Sequence, residues 1–345
     1  MGWELLFLMF VGGLIVLLMT SLPVAFAFLG VNIIGAALLI GFEAGGLQVT
    51  RSISPTIMNF SLLPIPLFVF MGELLFHSGL ASRTLDGVSK WFGKVPGRLA
   101  LVTQAGGASF SVFSGSSLAT TSMLGSLLVP EMRKRGYSVE MSAGAILAAG
   151  GLAMVIPPSA IIVLVGTIGH VSIGRLLLAG IIPGILLAVI AMGYIVIRCW
   201  RNPSLAPPYD VGAVTWNERW RALFVDILPL GSVLVTVLGL IILGIGTPTE
   251  AAAVGSVVAA GLIACYGNLT LENFRKAVFG TLRIAGGILF IVAGAAGFSQ
   301  LVAYSGAISG LIDLVSGMNA HPLIIVAVML IVLVILGSPL EHISI

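Results

Sequence analysis

Long apolar runs, broken by short polar clusters, fill most of the chain. The runs are continuous rather than alternating with period two, so they read as helices and not as barrel strands. A bilayer's hydrocarbon core needs about 20 apolar residues per helical crossing. The pattern predicts spans at 3–19, 22–42, 62–77, 98–113, 117–132, 139–168, 173–200, 224–244, 247–266, 284–303 and 322–336. Three of these depart from a plain crossing. Segments 98–113 and 117–132 are short and meet at the polar break FSGSS, which predicts a re-entrant hairpin. Segment 139–168 is long but interrupted at GGLAMVIPPS, where Pro157 and Pro158 remove backbone donors and Gly150 and Gly151 loosen the helix.

Composition supports lipid as the main solvent. Hydrophobic residues make up 58% and charged residues 8% of the sequence, against roughly 25% charged in a soluble domain. Sixteen Lys+Arg against thirteen Asp+Glu leave +3, too small an excess to point to nucleic acid. Cys199 and Cys265 are far apart in apolar stretches and read as inert buried thiols rather than as a disulfide. The start, MGWELLFLMFVGG, lacks the basic residues and cleavage site of a signal peptide and reads as a retained first helix.

The chain also resembles itself. Residues 78–89 (SGLASRTLDGVS) and 305–316 (SGAISGLIDLVS) agree at six of twelve positions, at an offset of 227. SLPVAFAFLG (21–30) and GTPTEAAAVG (246–255) share Pro, Ala and the last Gly at an offset of 225. SGS at 114–116 faces LGSP at 336–339. Three weak matches in one order indicate a repeat. The expected organisation is a first unit over 1–202, a connecting polar loop at 203–223, and a second, incomplete unit over 224–345.

Charge placement gives the orientation. Lys90, Lys94 and Arg98, then Arg133, Lys134 and Arg135, then Arg198, Arg201, Arg219 and Arg221, then Arg275, Lys276 and Arg283 form four basic clusters. With a re-entrant hairpin at 98–132, crossing parity puts all four on one side, the cytoplasm by the positive-inside rule. The second copy of the repeat has Asp313 and no Lys or Arg, and parity puts it on the other side. The repeat is therefore expected to be inverted, an architecture of secondary transporters.

The two breaks carry the candidate chemistry. Ser114, Gly115, Ser116 and Ser117 can offer carbonyls and hydroxyls to a cation, and the helix start beyond them can offer free N–H groups to an anion. The break at Ile156, Pro157, Pro158 and Ser159 frees carbonyls in the same way. Close packing by small residues is the plainer explanation for such Gly and Ser. Thr247 or Thr249 with Glu250 forms a helix cap or, alternatively, an intramembrane acid site. Glu341 and His342, beside Gly337 and Ser338, are either site residues or a frayed end. Glu73 and His77 stand one turn apart and read as a solvated pair. Asn268-Leu269-Thr270 fits a glycosylation sequon but falls on the cytoplasmic side. The chain has no Walker lysine, no His-Glu-x-x-His and no Gly-x-Ser-x-Gly. An ion gradient is therefore the natural source of energy, and no enzyme is expected.

PIPLFVFMGELLFHSGLASR, FSGSSLATTSMLGSLLVPEMRKRGYS, GLAMVIPPSAIIV, VSIGRLLLAGIIPGILLA and GTPTEAAAVG, in that order, resemble the large membrane subunit of tripartite ATP-independent periplasmic (TRAP) transporters. The resemblance implies an all-α, multi-pass protein of the bacterial inner membrane, with inverted repeats, re-entrant hairpins, interrupted helices and an elevator-type movement. It implies Na⁺ as the coupling ion and a small organic anion such as a C4-dicarboxylate or sialic acid as the solute. It further implies a small membrane subunit (Q type) and a periplasmic binding protein (P type) as partners. Carried onto this sequence, the substrate side falls to Ser116, Ser117, Thr120, Thr121 and Ser159. Na⁺ falls to Ser114, Gly115, Ser116, Gly150, Gly151, Ile156 and Pro157, with Gly337 and Ser338 at the second hairpin tip; Thr247, Thr249 and Glu250 are further candidates. The ending GSPLEHISI resembles that second tip, with Glu341 in place of the family's usual acidic residue and the following interrupted helix missing, so a truncated subunit is expected. A stand-alone Na⁺/anion symporter, a membrane enzyme using Glu250, Glu341 or His342, and a non-transporting scaffold are the competing expectations.

Overall fold

A computed structural model of the protein describes residues 2–93, 95–114, 117–207, 214–317 and 321–337. Sixteen α-helices follow one another among them: α1 (Trp3–Met19), α2 (Val24–Ile40), α3 (Phe42–Ile57), α4 (Pro64–His77), α5 (Leu80–Ser89), α6 (Arg98–Ser114), α7 (Ser117–Lys134), α8 (Val139–Val155), α9 (Ala160–Ile168), α10 (Ile173–Arg201), α11 (Trp216–Ala222), α12 (Leu228–Ile242), α13 (Pro248–Cys265), α14 (Leu271–Tyr304), α15 (Ala307–Gly317) and α16 (Pro322–Gly337). No strand occurs among the described residues. Five helical stretches are long and apolar enough to cross a membrane, and α8 with α9, bent by 42°, makes a sixth if the pair is one span. On α10, Ile182, Leu186, Val189 and Ile197 are exposed. A helix so apolar on its outer face belongs in lipid. The protein is an all-α polytopic membrane protein.

Two compact units are distinguished by their internal contacts: residues 61–284, and residues 1–60 together with 285–345. Within 61–284, α6, α7 and α8 pack tightly around Leu85, Met123, Leu124, Ile146 and Ala149. A second cluster joins Leu99, Met132, Tyr137 and Met141 to Ile195 and Cys199. The Tyr137 hydroxyl accepts from the Leu99 N–H at 3.2 Å, and the Ser138 N–H donates to the Leu205 carbonyl at 2.9 Å. These contacts gather Arg98, Arg133–Arg135 and Arg198–Arg201 at one end of the unit, as the charge pattern requires.

At that end α5 is clasped to a π-helical turn, Leu223–Ile227, that joins α11 to α12. Thr84 Oγ1 donates to the Asp226 carbonyl at 2.7 Å, and Arg83 and Lys90 each approach the Asp226 carboxylate to 3.9 Å. Partial desolvation in this seam holds the Asp86 carboxyl above the ordinary aspartate range; nearby Asp226 pushes the same way and Lys90 opposes it. An acid whose folded pKa is raised binds its proton more tightly folded than unfolded, so stability declines as pH rises from the ordinary aspartate range through the folded value. Asp86→Asn should therefore raise the melting temperature of the detergent-solubilised protein slightly at neutral pH, with the gain vanishing at acid pH. The side chain stays partly exposed, so the effect is small.

In the other unit α2 lies along α14. Phe28 and Phe298 meet edge to face at 5.5 Å, and buried Asn32 donates from Nδ2 to the Gly294 carbonyl at 2.8 Å. α3 was not expected from the apolar pattern. Its polar face turns inward: Gln48 donates to Gln300 Oε1 at 2.9 Å and Ser52 bonds the same oxygen, while Phe42 and Leu47 stay exposed.

The repeated SGLASRTLDGVS/SGAISGLIDLVS element folds alike in both places. Ser78 Oγ donates to the Leu75 carbonyl (2.8 Å) and accepts from the Leu80 N–H (3.3 Å); Ser305 Oγ donates to the Val302 carbonyl (2.7 Å) and accepts from the Ala307 N–H (3.3 Å). Gly79 (φ 77°) and Gly306 (φ 75°) both take the left-handed conformation that a side chain resists. Serine caps the elbow and glycine turns it, and a short helix follows each time.

Four expectations need correction. α14 begins thirteen residues before the predicted 284, because LENFRKAVFGTLR is helical though amphipathic, with Glu272 and Lys276 paired at 2.6 Å. Cys265 is exposed on an apolar helix rather than buried. The Glu73–His77 pair exists at 3.2 Å but is largely shielded from solvent, since the Glu73 carboxylate lodges against Gly280 of α14. Finally, α11 places a helical turn inside the expected loop at 203–223. Asn268 donates from Nδ2 to the Ser78 carbonyl at 2.8 Å, which gives the sequon asparagine a structural role.

Candidate functional site

Both expected breaks lie in the 61–284 unit. α6 stops at Ser114 and α7 starts at Ser117. Gly115 and Ser116 lie outside the described residues, as do Ser338, Glu341 and His342. Gly337 ends α16 in the other unit. At the start of α7 the first backbone N–H groups have no partner within the helix and carry partial positive charge.

α7 approaches α8 closely beside this start. A Cβ added to Gly150 would fall 2.0 Å from Thr121 Oγ1 and 3.3 Å from the Ser117 carbonyl oxygen. Hydroxyl and carbonyl oxygens thus crowd the α8 backbone where only glycine fits. One residue on, Gly151 meets nothing within 4 Å. Thr120 is fully buried.

α8 ends at Val155, and Ile156 is extended (ψ 119°). Pro157 and Pro158 lack N–H groups, so the carbonyls four residues before them, at Ala153 and Met154, lose their helical donors. Ser159, fully buried, returns one: its hydroxyl donates to the Met154 carbonyl at 3.0 Å. The break lies about 9 Å beyond Gly150 at 1.5 Å per residue.

The sequence reading missed what makes room for this break. A Cβ on Gly180 of α10 would come within 2.8 Å of the Val155 carbonyl, and one on Gly184 within 2.8 Å of Ile156 Cγ1 and 3.4 Å of its Cα. GIIPG is a small-xxx-small pattern, the membrane signal for close helix approach, and could have been read. Gln104 was also missed; it is wholly buried in α6, and neither of its side-chain polar atoms has a partner among the described residues. An amide side chain in the middle of α6, next to Thr103, was the available clue.

Thr247, Thr249 and Glu250 stand apart from this arrangement. Glu250 Oε2 accepts from the Thr247 N–H (2.7 Å) and hydroxyl (2.9 Å), and Thr247 Oγ1 accepts from the Glu250 N–H (3.3 Å), forming a capping box on α13 with Thr249 in its first turn. The geometry is that of the helix cap.

Around Ser117, Thr121 and Gly150 the donors are thus neutral oxygens beside a helix start, a donor set chemically suited to a hard cation and a carboxylate, with no nucleophile–base pair there among the described residues. The family model described as "Tripartite ATP-independent periplasmic transporter, DctM component" matches residues 11–345. The chain belongs to the TRAP transporter large-subunit family. It is 30% identical over 310 residues to the C4-dicarboxylate TRAP transporter large permease protein DctM of Rhodobacter capsulatus, covering 86% of this chain and 69% of that protein. It is 30% identical over 339 residues to the 2,3-diketo-L-gulonate TRAP transporter large permease protein YiaN of Escherichia coli K12, covering 97% and 77%. Against the sialic acid TRAP transporter large permease protein SiaM of Vibrio cholerae the identity is 30% over 331 residues, covering 95% and 75%. TRAP large subunits are transport proteins of the inner membrane and not enzymes, and this chain is one of them.

Proposed function

We propose that this TRAP large subunit carries a small organic anion into the cell together with Na⁺. A small membrane subunit assembles with it and a periplasmic binding protein delivers the anion. The observation that carries this reading is the packing of Gly150 against the Ser117 carbonyl and the Thr121 hydroxyl. Neutral carbonyl and hydroxyl oxygens suit coordination of a hard monovalent cation such as Na⁺, which is cargo here. Ser114, Gly115, Ser116, Gly150, Gly151, Ile156 and Pro157 would hold it, with Gly337 and Ser338 serving a second ion. The anion's carboxylate would take backbone N–H groups at the start of α7 together with the side-chain hydroxyls of Ser116, Ser117, Thr120 and Thr121, with Ser159 supporting the neighbouring break. Bound Na⁺ orders the hairpin tip, and the hairpin and broken helix then move as one rigid, elevator-like body.

The relatives' names set the solute panel: a C4-dicarboxylate, 2,3-diketo-L-gulonate and sialic acid. Proteoliposomes holding both membrane subunits, supplied with the binding protein, should accumulate one organic anion when external Na⁺ exceeds internal Na⁺. Accumulation driven by a proton gradient and indifferent to Na⁺ would refute Na⁺ coupling.

A further inference from the structure

A groove of about 430 Å³ runs between α8 and α10, and Ser117, Thr121 and Gly150 are not among the residues that line it. Glu140, Gly144 and Ala148 line it from α8 at four-residue spacing, and Leu187, Tyr194 and Arg198 line it from one face of α10. Small α8 residues give it depth and large α10 residues give it walls. Its α10 wall is open to the bilayer: Leu187 is 45% and Tyr194 58% exposed.

The rim is charged at one end only. Arg198 stacks on the Tyr194 ring at 5.9 Å and has no carboxylate within ion-pair distance among the described residues. Glu140, in the first turn of α8, likewise has no cation within that distance among the described residues. Both stand at the basic, cytoplasmic end. An apolar trough that ends in one unpaired cation and one unpaired anion matches a molecule with an acyl chain, a phosphate and a primary ammonium.

We propose that this groove binds a zwitterionic aminophospholipid of the inner leaflet. One acyl chain lies over Gly144 and Ala148, the phosphate meets Arg198, and the ammonium donates to Glu140. An anionic glycerol headgroup would meet repulsion from Glu140, and a choline headgroup has no N–H to donate. The site is independent of which solute is carried.

Native mass spectrometry of the delipidated complex, titrated with phosphatidylethanolamine, phosphatidylglycerol and phosphatidylcholine of identical chains, tests this. Phosphatidylethanolamine should bind about fivefold more tightly than either of the others. Arg198→Gln should weaken it by a similar factor, Glu140→Gln should erase its advantage over phosphatidylglycerol, and Ala148→Trp should exclude all three. A melting curve for each variant confirms that it is folded. Equal binding of the three lipids by the wild-type protein, or unchanged binding in both charge variants, would overturn the assignment. So would a photo-crosslinker at Leu187 that captures the small membrane subunit instead of lipid.

Discussion

Gly150→Ala should abolish uptake by the assembled transporter, whereas Gly151→Ala should leave it within about twofold of wild type. The two glycines are adjacent in sequence and have equal helix propensity, so propensity alone predicts equal effects. Packing separates them. The methyl group that Gly150→Ala introduces would lie 2.0 Å from Thr121 Oγ1, where real Cβ contacts essentially never fall below 3.0 Å. Helical threonine has two χ1 rotamers, but the Thr121 Cβ itself lies 3.3 Å from the same point, so rotation leaves the contact tight. The Ser117 carbonyl, 3.3 Å from the same point, blocks the other escape. The start of α7 must therefore recede from Gly150, moving Ser117 and Thr121, proposed to hold the anion, away from the α8 residues proposed to hold Na⁺. Overpacking of this kind costs about 1–3 kcal/mol, which leaves the fold intact. Misplacing a binding constellation by about 1 Å costs on the order of 100-fold. Initial uptake rates, with surface expression measured alongside, give the comparison, and equal rates for the two variants would remove the α7–α8 contact from the mechanism.

Gly184→Ala should produce the larger loss of stability. Its Cβ would press on Ile156 Cγ1 at 2.8 Å, with the Ile156 Cα and N behind it at 3.4 and 3.5 Å. That backbone is already committed to the Pro157–Pro158 break and has little freedom to move. Roughly 2–3 kcal/mol of destabilisation is expected. The diagnostic is rescue. Ile156→Ala removes Cγ1, so the double variant should regain part of the loss even though each single change destabilises. Thermal unfolding of all four proteins in one detergent decides the point, and simple additivity would show that α10 does not cradle the break.

Much of this was legible in the sequence because lipid imposes a simple rule. Apolar runs marked α1, α2, α4, α10 and α13 to within a few residues, and Gly-Ser and Pro-Pro interruptions marked the α6–α7 and α8–α9 breaks. Helices with a polar side were harder. α3 and the first turns of α14 spend their polar faces on Gln300 and on a Glu272–Lys276 pair, which a search for apolar runs passes over. The 78–89/305–316 match was visible as letters, but only the two capped elbows show why serine and glycine recur there. The notch at Gly180 and Gly184 is a property of two helices at once, and spacing along one chain only hints at it. Thr247 and Glu250 gave two defensible readings from sequence, and the structure shows the cap.

Equilibrium binding of radioactive Na⁺ to the purified protein tests the proposed ion site most directly. Saturable binding is expected in the wild type and in Gly151→Ala, with a large loss of affinity in Gly150→Ala. Indistinguishable Na⁺ binding by all three proteins would contradict a Na⁺ site at the meeting of α7 and α8.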